Sequence, residues 1–186
     1  MKKIYFATGN KGKAEEAEDI LGLKVDIADI ELDEIQSMNL EIIVEHKVRQ
    51  AYQVLKAPVF VDDVSVEFEI WKGFPGPFIK YLQQLSNDLI LYMMRNEINR
   101  RVNLIATIAY HDGKEIHFFT GKIKGTIATE VRGARGWGFD PILIPEDQKL
   151  TYAEMTLKEK NSLSHRTIAM NKLRDYLDSQ NEDRRL

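Results

Sequence analysis

Residues Gly136 to Arg166 read GWGFDPILIPEDQKLTYAEMTLKEKNSLSHR, and this one stretch holds an aromatic loop between glycines, a strand and two helix starts. Pro141 to Ile144 is apolar and reads as a buried strand. Thr156-Leu157-Lys158-Glu159 is a capping box that opens a short helix containing Lys160. Ser164 is a good N-cap for a last helix, whose first turn then carries His165 and Arg166. The helix macrodipole disfavours cations there by about 0.3 to 1 kcal/mol. Either both side chains point into solvent, or an anion belongs at the helix start, where free N–H groups and Arg166 make a phosphate or oxo-group site.

Working outward, 186 residues with 44% hydrophobic and 30% charged suffice for one globular domain with a real core, and no linker divides the chain. The expected domain spans 1–186, with a polar tail from Asp178 to Leu186 that should fray. A net charge of -3 leaves no basic field to drive nucleic-acid or anionic-membrane binding, so any basic function is local. Zero cysteines exclude disulfides and thiolate metal sites and fit a cytoplasmic protein. The apolar run of MKKIYFA stops at Thr8-Gly9-Asn10, too short for a signal-peptide core, and no segment reaches the roughly 18 apolar residues of a membrane span.

Ile4 to Ala7 reads as a first buried strand, followed by Thr8-Gly9-Asn10-Lys11-Gly12-Lys13 and a helix with Ala14, Ala17, Ile20 and Leu21 on one face, ended by Gly22. Such a loop is either a phosphate cradle with Lys13 as a point charge or an ordinary tight turn; it is neither a Walker loop nor a dinucleotide fingerprint. A helix from Leu40 to Leu55 carries an apolar stripe of Leu40, Val44, Val48, Ala51 and Leu55, with Lys47 on or beside it. That lysine either snorkels to water or reaches a buried anion.

Pro58 to Val61 is a buried-type strand expected to end in Asp62-Asp63, before a separate strand from Val66 to Trp71. If the strand persists, the two aspartates point to opposite sides, and only one faces a site. Gly73-Phe74-Pro75-Gly76-Pro77 should form a rigid loop with Pro77 in the first turn of a helix carrying Lys80 and Tyr81. Leu89 to Met94 looks like a further helix, and Val102 to Tyr110 with Glu115 to Ile123 makes the clearest hairpin, turning at Asp112-Gly113.

Together these pieces resemble the inosine triphosphate pyrophosphatase family. The likeness rests on Thr8-Gly9-Asn10 with Lys13, Glu34-Ile35-Gln36, Asp63, Gly73 to Pro77, Gly138-Phe139-Asp140-Pro141, Tyr152 to Met155 and Glu159-Lys160-Asn161 with Ser164-His165-Arg166. It covers nearly the whole chain, and seven weak motifs in the right order are highly specific. It implies an α/β fold with a mixed central β-sheet flanked by helices, Mg²⁺ dependence with Mn²⁺ as a substitute, a homodimer, and cleavage of non-standard purine nucleoside triphosphates (ITP, dITP, XTP) to the monophosphate and pyrophosphate. By that pattern Thr8, Gly9, Asn10, Lys11, Gly12 and Lys13 bind phosphates, Glu34 and Asp63 serve the metal, and Asp63 is also the catalytic base. Lys47, Lys80 and Lys160 would contact triphosphate or sugar, while Trp137, Gly138, Phe139, Asp140, His165 and Arg166 hold the base. One departure is Val64-Ser65, where the family usually has Ser or Thr and then Gly or Cys.

The chemistry agrees with the resemblance. A triphosphate with one Mg²⁺ keeps about two negative charges, which an acidic protein meets only through a local set such as Lys13, Lys47, Lys80, Lys160 and Arg166. Two carboxylates suit Mg²⁺, which takes hard oxygen ligands. Two other readings remain: a pyrophosphatase for pyrimidine or modified nucleotides, and a non-catalytic nucleotide sensor, which would not need Glu34 and Asp63. An RNA-binding module lacks its basic stripe.

Overall fold

The computed structural model describes residues 3–182, apart from a few side chains that include Lys11. In chain order the elements are β1 (Tyr5–Ala7), α1 (Lys11–Leu21), β2 (Asp26–Ala28), α2 (Leu40–Leu55), β3 (Val59–Phe68), β4 (Pro75–Gly76) and α3 (Ile79–Leu82). They continue as α4 (Asn87–Met93), β5 (Arg101–His111), β6 (Ile116–Ile127), β7 (Leu143–Pro145), α5 (Leu157–Leu163) and α6 (His165–Glu182). The sheet runs β2-β1-β3-β5-β6-β7 with β4 on β3. β1 is parallel to β2 and β3, whereas β3/β4 and β6/β7 are antiparallel, so the mixed sheet expected from the resemblance is present.

Four expectations need correction. Asp62-Asp63 does not end a strand: β3 runs unbroken to Phe68, because the cations described below satisfy both carboxylates. Pro75-Gly76 forms β4, pairing Glu67 with Pro75 and Val66 with Gly76, and Pro77 precedes α3 rather than opening it. β7 begins at Leu143, two residues later than read, since Ile142 N–H turns back onto the Phe139 carbonyl at 2.9 Å. Asp178 to Glu182 continue α6 instead of fraying; residues 183–186 lie outside the described range.

The chain forms two compact units, each assembled from separated segments. The first comprises Met1–Asp63, Ala106–Gly121 and Arg166–Leu186, and the second Val64–Ile105 and Lys122–His165. Strands β3, β5 and β6 contribute residues to both, so no linker marks the division.

In the first unit the α2 stripe of Val44, Val48 and Ala51 packs with Ala7, Val59, Val61 and Ala109. The Asn39 side chain caps α2 by accepting from Glu41 N–H, and Lys56 ends it in the left-handed region at φ 50°. α1 is capped by Asn10, which accepts from Lys13 N–H, and is ended by Gly22 at φ 64°, as its glycine signalled. The second unit has its own core of Val66, Phe68, Ile79, Ile90, Met94, Val102, Leu104, Ile142 and Leu143, among others. Phe68 is fully buried there, stacked on Trp71 at 4.4 Å.

Candidate active site

The first unit gathers two charged groups. In one, Lys13 on the first turn of α1 donates from Nζ to Asp62 Oδ1 at 2.9 Å, and Arg166 on the first turn of α6 donates from Nε to Asp62 Oδ2 at 2.9 Å. Arg166 also donates from Nη1 to Glu16 on α1. Asp62, Glu16 and Arg166 are all buried, and two cations against two carboxylates leave the group neutral. The anion expected at the α6 start is therefore, in part, the protein's own carboxylates.

Burial alone would raise the Asp62 carboxyl, but the charges of Lys13 and then Arg166 outweigh it and bring it from 3.8 down to about 2. Burial would also weaken Arg166 as a cation, yet Asp62 and then Glu16 raise its pKa. A carboxyl lowered in the folded state stabilises fully above its unfolded value and loses that contribution as pH falls through the folded one. Asp62 should thus supply about 2 kcal/mol at neutral pH that disappears between roughly pH 4 and 2. Urea titrations from pH 5 to 2 check this: Asp62→Asn should start less stable and lack this part of the acid-induced loss. An unchanged acid slope in the variant would show that Asp62 is not the titrating group.

In the second charged group, Lys47 on α2 donates to Glu34 Oε2 and to Asp63 Oδ2, each at 2.9 Å. Burial lowers the Lys47 pKa, but Asp63 and then Glu34 more than restore it, so its pKa ends raised and the ammonium is charged at neutral pH. Asp62 and Asp63 bond different cations, as strand alternation requires, so the two carboxylates belong to separate charged groups. Around the first loop, Thr8 Oγ1 accepts from Asn10 N–H at 3.1 Å, and a Cβ on Gly9 would meet Asp29 Oδ1 at 3.0 Å. Gly12 lies in the first turn of α1; Lys11 opens that helix, and its side chain lies outside the described residues.

The second unit holds the aromatic loop. Asp140 Oδ2 accepts from Trp137 N–H at 2.9 Å and from Lys160 Nζ at 3.0 Å. The Lys160 ammonium stands 5.6 Å from the centre of the Trp137 ring and 5.9 Å from that of Tyr152. Gly136, at φ 75°, is required: a Cβ there would lie 2.0 Å from Asp140 Oδ2. Gly138, at φ 62°, offers its carbonyl to Asn87 Nδ2 at 3.1 Å. Trp137 is 36% exposed, but Phe139 is buried edge-on to Phe68 and belongs to the core rather than to an open stacking surface. The capping box is formed as read, with Thr156 and Glu159 bonding each other's backbone, and it presents Lys160 on α5.

Lys80 is exposed, with its ammonium 5.0 Å from the centre of the Tyr81 ring. His165 is the first residue of α6 and is half-buried. Val64 packs on the core of the second unit, and the buried Ser65 hydroxyl has no hydrogen-bond partner among the described residues. Asp112, Glu115 and His117 at the hairpin turn form another ligand-capable group. There Asp112 Oδ1 caps the Lys114 and Glu115 N–H groups and His117 Nε2 meets the Tyr176 hydroxyl at 2.9 Å, so these residues build the turn. Glu16 and Asp62 were missed as site residues; Glu16 sits beside the apolar face of α1, where a carboxylate must find a partner, but that partner is 150 residues away.

The family model described as the Ham1 family matches residues 4–176. The chain belongs to the Ham1 family. Among its relatives, the "dITP/XTP pyrophosphatase" of Thermococcus kodakarensis is 41% identical over 179 residues, covering 94% of this chain and 97% of that protein. The "Inosine triphosphate pyrophosphatase" of Schizosaccharomyces pombe is 37% identical over 185 residues, with 97% of each chain covered. Among solved structures, the Ham1 protein of Staphylococcus aureus superposes with a TM-score of 0.83 at 25% identity, covering 96% of this chain and all of that one. These Ham1 neighbours bear out the fold class read from the sequence. Among the described residues no helix is long and apolar enough to cross a membrane.

Proposed function

We propose that this Ham1 protein hydrolyses non-standard purine nucleoside triphosphates, ITP, dITP and XTP, to the monophosphate and pyrophosphate. The observation that carries the reading is the convergence of Glu34 and Asp63 on one cationic centre, the Lys47 ammonium. A sensor that only bound nucleotides would not need two carboxylates focused in this way. The activities for which the relatives are named are of the same kind.

The donor set also fits a divalent metal: two hard carboxylate oxygens aimed at a single positive centre, with no thiolate or imidazole among them, suit Mg²⁺ or Mn²⁺. Glu34 and Asp63 would hold that ion, which when bound neutralises charge on the leaving pyrophosphate. Asp63 takes the proton of the attacking water as general base. Lys13 and the N–H groups at the start of α1 bind phosphate oxygens, and Asp62 fixes the Lys13 ammonium for that task. Trp137 supplies a stacking face for the base, and Lys160, beside that face, supplies donors to it. Because Arg166 Nε and Nη1 are taken by Asp62 and Glu16, we assign the contact to O6 of the base to Lys160 and make Arg166 a positioning residue.

A screen of inosine, xanthosine, pyrimidine and standard triphosphates with Mg²⁺, scored for pyrophosphate, tests the reading. Turnover confined to pyrimidine or modified nucleotides, or tight binding with no turnover, would replace it with one of the two alternatives. The family resemblance further supports a homodimer; light scattering at micromolar concentration should give twice the 21.5 kDa chain mass, and a monomer mass would remove that assignment.

A further inference from the structure

Two of the three N–H donors of the Lys47 ammonium are spent on the carboxylates assigned above to the metal, at 2.9 Å from each. A divalent ion binds carboxylate oxygens at about 2.1 to 2.6 Å. An ion on Glu34 and Asp63 would therefore place a second cation against the ammonium, with little water left to screen them, since the Lys47 side chain is only 16% exposed. One of the two cations has to give way. The backbone at Lys47 is fixed, because Val44, Val48 and Ala51 anchor α2 in the core. The four-carbon stem is not, so the ammonium is the part that moves.

The local charge then changes sign. Glu34, Asp63 and Lys47 together carry minus one, which repels a phosphate; with a divalent ion added they carry plus one, which attracts it. We propose that the Lys47 ammonium and the divalent cation are alternative partners of Glu34 and Asp63, so that metal binding hands Lys47 over to the substrate's phosphates. The competition for the carboxylates stands on the first unit alone. The handover to phosphate rests on the proposed function.

The test is a titration with Mn²⁺ alone, without nucleotide, read from the electron paramagnetic resonance signal of the free ion, on variants whose folding is confirmed by circular dichroism. Lys47→Met should bind Mn²⁺ at least about fivefold more tightly than the unaltered protein, the lower end of usual couplings. Lys47→Gln gives the same comparison with a polar side chain if the methionine variant does not fold. Lys13→Met, which removes one positive charge from the group around Asp62, should change Mn²⁺ affinity by less than about twofold and so separates competition from a general charge effect. Unchanged or weaker Mn²⁺ binding by the Lys47 variants, or an equal gain in Lys13→Met, overturns the proposal. So does Mn²⁺ binding that survives Glu34→Gln with Asp63→Asn. A protein that shows the Lys47 effect yet hydrolyses no triphosphate would overturn the proposed function and leave the competition standing.

Discussion

Inosine and xanthosine triphosphates are expected to exceed ATP by at least about a thousandfold in kcat/KM, and Lys160→Met to lose most of that preference. Stacking on Trp137 cannot select, because every base has a π-face. Hydrogen bonding does the selecting. Hypoxanthine and xanthine present an acceptor at O6 beside a donor at N1, and adenine presents the reverse. Lys160 has only donors and an ionised Asp140 only acceptors, and the two are held 3.0 Å apart beside the indole. An N6 amino group facing Lys160 would set donor against donor in a partly dehydrated slot. Sites that hydrogen-bond a polar substrate reject analogues lacking the match by about 10⁴ to 10⁵, so a thousandfold is a conservative expectation. Guanine shares the O6 and N1–H pattern, and its rejection has to act on its 2-amino group. If Lys160→Met weakens all triphosphates equally, Lys160 is a phosphate ligand, as the resemblance implied, and the base contact lies elsewhere.

Glu34→Gln and Asp63→Asn should each lower turnover by at least about a hundredfold, the lower range for losing acid-base chemistry. Both changes keep size and shape, so packing is spared. Each removes a negative oxygen on which Lys47 and the metal depend, and Asp63→Asn also removes the proton acceptor. Because Asp63 lies on β3 and Lys47 on α2, whose apolar stripe is anchored in the core, the geometry around an asparagine should persist, and the loss should appear in kcat. Full activity of Asp63→Asn in saturating Mg²⁺ would remove Asp63 from both roles.

Local chemistry made some of this legible in the sequence. The Thr156–Glu159 capping box, the Asp112-Gly113 hairpin and the apolar stripe of α2 each depend on residues close in the chain, and each is formed as read. Lys47 lay beside an apolar stripe, and of the two choices that left, reaching carboxylates is the one the fold takes. The continuation of β3 through two aspartates was hidden, because it depends on Lys13, Lys47 and Arg166, all remote in sequence. The same distance hid Arg166's engagement by Glu16 and Asp62, which turned a candidate base reader into an internal ion-pair partner. β4 is two residues long and exists only through its pairing with β3, so no periodicity announces it.

A phosphorus NMR time course of the protein with Mg²⁺ and inosine triphosphate tests the proposed pyrophosphatase reaction most directly. Inosine monophosphate and pyrophosphate should appear in equal amounts, with no diphosphate intermediate and no comparable reaction of ATP. Inosine diphosphate with inorganic phosphate, or equal hydrolysis of ATP, would contradict it.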